Sequence, residues 1–261
     1  MSFGDIDISE ESGVRYLHFG SEWVQGAMRI RRPYDLELAY TREMMAGLLM
    51  RDDALASGPT HSPRWPRNAL LIGLGAGSLT KFMHRHLPQT KLTVVEINPA
   101  VWAAAQQFFK LPEEDARLRI EVADGVDFIA QGRGYYDYIL VDGYDEDAKV
   151  GLLDSLPFYQ ACWSRLSESG LLVANMFGRS RKYGPSLSRL AEAFDQRVFA
   201  FPPCDSGNVV AFAARGEAVN VPLPVLRERA AILRANTGLD LRTTVTQLEK
   251  AGKLTSNALV F

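Results

Sequence analysis

The chain has two cysteines in 261 residues, Cys162 and Cys204, far apart and without a C-x-x-C spacing. Neither a disulfide framework nor a cysteine zinc site organises such a sequence. No run approaches the ~20 consecutive apolar residues that a membrane-crossing helix needs. The opening MSFGDIDISEESG is acidic and lacks both a basic and an apolar leader segment, so a cytoplasmic protein without a membrane partner is expected. A basic excess is missing too: 29 Lys and Arg face 31 Asp and Glu, a net charge of -2. No nucleic-acid partner is implied, because phosphate neutralisation needs a basic stripe. The short runs Arg29, Arg31, Arg32 and Arg179, Arg181, Lys182 suffice only for a local anion contact. His18, His61, His84 and His86 show no ligand spacing, so no metal is assigned, and no G-x-S-x-G nucleophile turn occurs.

What is present is a hydrophobic share of 47% with 23% charged residues, enough for one main globular core. Residues 14–19 and 23–30 read as two short strands about Gly20, Ser21 and Glu22, a small N-terminal β-hairpin. Residues 34–50 follow as a helix, with Pro33 in its first turn. Pro59, Pro63 and Pro66 mark a linker, so the expected division is 1–56, the hairpin and helix, and 57–261, the main domain. There, apolar strands at 69–72, 91–95, 118–122, 138–141 and 171–175 alternate with helices, the signature of a largely parallel α/β sheet. Residues 198–201 and 209–213 are joined too tightly for a crossover helix and must pair antiparallel. A mostly parallel sheet ending in an antiparallel hairpin is the Rossmann-like, class I fold of S-adenosylmethionine-dependent methyltransferases. Residues 225–235 and 243–251 read as one or two further helices.

The chemistry gathers where strands end. Gly73, Gly75 and Gly77, in Gly73-Leu74-Gly75-Ala76-Gly77-Ser78, follow the first strand and open a helix, so backbone can approach a ligand closely. The same turn also serves plain strand-to-helix packing. Glu96 ends the second strand about 20 residues on, where a carboxylate can accept from both ribose hydroxyls; alone it also reads as a solvated strand-end charge. Asp124 and Gly125 follow the third strand, the aspartate able to accept from an adenine amino group and the glycine to admit the ring; Asp-Gly is equally an ordinary turn. Asp142 and Asp145 follow the fourth strand at the mouth of the same cleft. Asp145 can deprotonate an attacking amine or stabilise a cation, or belong with Glu146 and Asp147 to a solvated acidic loop.

At these residues the sequence resembles the spermidine synthase family of polyamine aminopropyltransferases, over about residues 15–212. Residues 69–78 are similar to the family's apolar strand and G-G-G-D-G-G loop, Val95-Glu96-Ile97-Asn98 to its V-E-I-D, and Asp124-Gly125 to its D-G turn. Residues 136–145 resemble its Y-D-x-I-x-x-D-x-x-D, whose last aspartate is the proton acceptor. The resemblance implies that Asp145 is the base and that Tyr40 and Gln25 line the aminopropyl and amine side. It implies that Gly73, Gly75, Gly77, Glu96, Asp124, Gly125 and Asp142 hold decarboxylated S-adenosylmethionine, that a small-molecule amine is the acceptor, and that the chain forms a homodimer. The departures are Ala76 for the loop aspartate, Thr41 for a histidine, Cys204 for a tyrosine, and Asn175-Met176-Phe177 where an acidic residue follows the fifth strand.

These readings imply an aminopropyltransferase. Ala76 motivates a second reading, methyl transfer from intact S-adenosylmethionine, because a missing carboxylate leaves room for the ligand's own. The altered acceptor residues motivate a third, a ligand-binding module without turnover. A dinucleotide oxidoreductase fits less well, since Ser78 stands where G-x-G-x-x-G turns continue differently.

Overall fold

Each βα unit carries the local signal that starts it. In the computed structural model, which describes residues 5–20, 23–55, 65–143, 151–177, 183–204 and 207–261, Asn98 accepts from the Ala100 N–H at 2.9 Å. With Pro99 at the first position, this cap opens an alanine-rich helix. Asp124 caps the helix Gly125–Gln131 by accepting from Val126 and Asp127, and Ser155 caps Leu156–Arg165 by accepting from Phe158.

The N-terminal strands are β1 (Ile6–Glu11), β2 (Val14–Phe19) and β3 (Gly26–Arg29), an antiparallel sheet in the order β1-β2-β3. The sequence reading anticipated a hairpin; the acidic stretch before it is a third strand, whose Ile6 and Ile8 pack on the core while its other side chains face water. Helix α1 (Ala39–Met44) is shorter than the expected 34–50. Residues 30–38 are turns in which Arg29 pairs with Glu37, and Met45–Leu49 tightens into a 3₁₀ turn.

The main sheet comprises β4 (Asn68–Ile72), β5 (Lys91–Glu96), β6 (Leu118–Val122), β7 (Tyr136–Val141), β8 (Leu166–Phe177), β9 (Val198–Ala200) and β10 (Asn208–Ala214). Its order is β6-β5-β4-β7-β8-β10-β9. Strands β4 to β8 pair in parallel; β10 runs antiparallel to β9, as expected, and also to β8. The order reverses at β4, so the crevice beyond the ends of β4 and β7 is the place where such sheets bind ligands.

Alternate residues of the central strands enter two cores. Leu71, Leu140, Val173 and Phe212 face one, shared with α1, α2 (Ser78–His86), α3 (Pro99–Phe108), α7 (Leu223–Thr237) and α8 (Arg242–Lys250). Ile72, Ile139, Leu172 and Ala211 face the other, beneath α4 (Gly125–Gln131), α5 (Leu156–Arg165) and α6 (Gly184–Ala193). The first core runs without a break into the N-terminal segment through Leu17, Met28, Met44 and Leu48. Buried Tyr138 donates its hydroxyl proton to the Met44 carbonyl, tying that segment to β7. The tail adds a small sheet that the sequence reading did not include, β11 (Asn220–Pro222) paired antiparallel with β12 (Ala258–Val260). Among the described residues, no helix is long and apolar enough to cross a membrane.

Candidate active site

At the crevice, Gln25, Tyr40, Gly73, Gly75 and Asp142 line one narrow cavity, together with Ala76 and Thr41. Five positions expected from the sequence to serve a common site therefore do meet. Asp145 lies outside the described residues, as do Glu146, Asp147, Ser206 and the basic run 179–182.

Gly73 has a φ of +96°, and a β-carbon there would fall 2.2 Å from the Asp142 carbonyl oxygen. The two strand ends approach so closely because Asp142 N–H donates to Ile72 O and Gly73 N–H donates to Val95 O, each at 2.9 Å. Only glycine fits that crossing. Gln25 and Gly26, leading into β3, press on the other side of the loop: a β-carbon at Gly26 would stand 2.6 Å from that of Ala76. The Ser78 hydroxyl donates to Ala27 O at 3.0 Å and fastens the loop to β3. Ala76 is thus a packing residue, 2% exposed beneath the N-terminal sheet.

Glu96 is 6% exposed, which removes the solvated-charge reading. Its Oε2 accepts from Leu74 N–H at 2.8 Å and its Oε1 from Asn98 N–H at 2.9 Å. Burial pushes its pKa up, while backbone N–H groups of Asn98, Leu74, Gly75 and Ile97 pull it back. The carboxylate therefore holds the glycine loop against the end of β5. Gly77 N–H is also committed, to Leu74 O at 2.9 Å. Asp124 spends one oxygen on capping α4. Gly125 has a packing reason to be glycine, because a β-carbon would meet Ile72 Cγ2 at 2.5 Å.

Asp142 is half-buried at the mouth of this loop. Burial raises its pKa, and hydrogen bonds from Asn175 and Tyr40 offset only part of that rise. The Asn175 amide donates to Asp142 Oδ1 at 2.8 Å and accepts from the Asn208 amide at 2.9 Å. Neither asparagine was expected as a site residue. Their signal was there, each a lone amide near the cleft end of an otherwise apolar strand, in LLVANMF and NVVAFAA. Thr41, which also lines the cavity, turns its hydroxyl to Leu38 O at 2.7 Å. Cys204 sits in the turn before β10, its N–H bonded to Asn208 O at 2.9 Å.

A larger groove of about 1190 Å³ opens at the opposite edge, between Arg51, Trp65, Asp137 and Arg215. It lies by the beginnings of β4, β7 and β8, away from the ligand-binding edge of a parallel sheet. Asp137 there is occupied by the backbone N–H groups of Arg67 and Asn68 and by the Ser167 hydroxyl.

Comparison with known proteins agrees with the crevice. The human methyltransferase-like protein 13, solved in complex with SAH, superposes with a TM-score of 0.66 at 26% identity, over 77% of this chain and 93% of that one. A probable spermidine synthase from Corynebacterium glutamicum shares the fold, with a TM-score of 0.68 at 18% identity over 90% of this chain and 91% of that one. A polyamine aminopropyltransferase of Chromobacterium violaceum is 37% identical over 256 residues, which is 98% of this chain and 94% of the relative. Residues 43–183 match the spermine/spermidine synthase domain. With its Rossmann-like sheet, its glycine crossing and a relative matched nearly end to end, the chain belongs to the spermine/spermidine synthase family.

Proposed function

We propose that the crevice binds decarboxylated S-adenosylmethionine beside a small amine and that Asp145 accepts the amine's proton. Aminopropyl transfer is the family's reaction and this chain's; the proposal assigns its parts. The observation that carries it is the sign of the site. Nucleotide phosphates are bound by free backbone N–H groups at a glycine turn, and here the N–H groups of Gly73, Leu74, Gly75 and Gly77 are taken by Val95, Glu96 and Leu74. Beside them stands the Asp142 carboxylate. With these four loop donors occupied and a carboxylate at its mouth, the site suits a sulfonium and an amine.

In this reading Gly73, Gly75 and Gly77 let backbone lie against the nucleoside, and Asp124 and Gly125 meet the adenine. Ribose hydroxyls reaching Glu96 share it with the loop N–H groups. Gln25, Tyr40 and Asp142 border the reacting end, where the carboxylate stabilises positive charge in a partly dehydrated cleft. The amine lone pair forms a bond to the aminopropyl carbon next to sulfur, and the C–S bond breaks with its electron pair going to sulfur. Asp145 takes the proton, and methylthioadenosine leaves. A homodimer, implied by the resemblance, is part of the same proposal.

Calorimetric titration with methylthioadenosine, S-adenosylmethionine and decarboxylated S-adenosylmethionine, each with and without putrescine, tests it alongside turnover. The decarboxylated compound is expected to bind best and more tightly with a diamine. Asp145→Asn is expected to lose about a hundredfold or more in kcat while keeping nucleoside affinity. Preference for intact S-adenosylmethionine with measurable methyl transfer would overturn the proposal, as would an Asp145→Asn variant of undiminished rate.

A further inference from the structure

The two amides behind Asp142 are built across three strands. Ala174 on β8 pairs with Val141 on β7, so Asn175 stands beside Asp142, the first residue after β7. Val210 on β10 lies opposite Asn175, which makes Asn208 its diagonal neighbour on the same face. Asn175 donates to Asp142 Oδ1 at 2.8 Å and accepts from Asn208 at 2.9 Å. The direction of this relay is forced: an ionised carboxylate only accepts, so Asn175 must turn its NH₂ toward Asp142 and its carbonyl toward Asn208.

Both amides are buried, Asn175 4% and Asn208 9% exposed, in strands whose other inward residues are apolar. Amides so placed cost free energy unless they are hydrogen-bonded, and one chain of their bonds runs from Asn208 through Asn175 to the Asp142 carboxylate. The Tyr40 hydroxyl on α1 bonds the same carboxyl group. Among the described residues, Tyr40 is the titratable group that meets Asp142; β8 contributes the neutral amide.

We infer that Asn208 is a positioning residue which, through Asn175, fixes the orientation of the Asp142 carboxylate at the cleft. The inference rests on the reading of this cleft as the site of amine and sulfonium. The relay supplies a hydrogen-bond donor without adding a second charge, and so favours the ionised carboxylate against the burial that raises its pKa. Losing the relay leaves Asp142 free to turn and easier to protonate. The antiparallel strand β10 thereby takes part in the chemistry, which the parallel strands and the glycine turn do not require of it.

Two variants test this after wild-type turnover has been established with decarboxylated S-adenosylmethionine and an amine. Asn208→Leu removes the donor at similar volume. Asn208→Asp keeps the shape but presents an acceptor, which reverses Asn175 and turns its carbonyl against Asp142. Both are expected to lower kcat by about tenfold, to leave the Kd for methylthioadenosine within about twofold, and to move the acid limb of kcat/KM upward, more for Asn208→Asp. A folded variant with wild-type kcat and pH profile overturns the inference. So does a loss matched by equal weakening of nucleoside binding, which is the mark of a merely structural role. A wild-type protein without turnover defeats the functional reading instead. The relay is then judged by NMR titration of the Asp142 carboxyl carbon, whose midpoint rises in Asn208→Asp if the relay holds and stays put if it does not.

Discussion

The two halves of the large sheet hold their ligand edge by different means. On the β4–β6 side, side chains bond backbone: Glu96 to Leu74 and Asn98, Asn98 to Ala100, Asp124 to Val126, Lys81 to Phe109. On the β7–β10 side, side chains bond one another around two carboxylates. Asp142 joins Asn175, Asn208 and Tyr40, and Asp154 joins Tyr159, Ser186 and Arg189. Backbone partners are present whatever the sequence does, so the first half depends only on the chain path and on the single side chain that makes each contact. The second half depends on the identity of every member, because removing one strands another in a buried or partly buried place.

The sharpest way to break the first half is to disturb the chain path itself. Gly73→Ala meets both a φ of +96° and the Asp142 carbonyl, and is expected to cost about 3 kcal/mol of stability. Urea unfolding measures it, and a loss within experimental error would mean that the strand ends are looser than the geometry states. Glu96→Gln is next. One of its two terminal atoms becomes a donor facing N–H donors, so about 2 kcal/mol is expected to be lost together with nucleoside affinity. An unchanged unfolding midpoint would return Glu96 to the role of a ligand-only contact.

A smaller effect sharpens the comparison through pH. Lys81, 1% exposed, donates to Phe109 O at 2.7 Å, and burial lowers its pKa to about 7. Between pH ~7 and ~10 the unfolded chain carries this proton and the folded one does not, so stability rises with pH across that window. It rises by at most about 1.4 kcal/mol per pH unit for one group. Lys81→Met, close in volume, is expected to flatten that rise and to gain relative to wild type toward neutral pH. Melting temperatures across the window check it; parallel curves for the two proteins would exclude a titrating Lys81.

What could be read in the sequence follows the same division. Gly73, Glu96 and Asp124 sit at strand ends within βα units, and the residue types that such turns accept are few. Backbone geometry therefore writes itself into local motifs. Asn175 and Asn208 are 33 residues apart and meet only after β10 returns antiparallel. No short-range pattern carries that meeting. The N-terminal strand β1 was missed for a different reason: half of its side chains are acidic and exposed, and the alternation of Ile6 and Ile8 is too short to stand out. Helix α1 was overextended because the apolar residues at 44–50 are buried in a 3₁₀ turn as they would be on a helix.

The contact of Gly26 with Ala76 separates the recognisable unit from the working one. The domain match begins at residue 43, after β1, β2 and β3 have ended. A fragment starting there would retain each strand of the large sheet and the glycine crossing. Its loop would lack the roof that Gln25 and Gly26 provide, and Ala76 would face water instead of a strand. Residues Gln25 and Gly26, from a segment with little recognisable motif of its own, form one wall of the proposed binding site, and the architecture of the cleft is shared by chain segments about fifty residues apart.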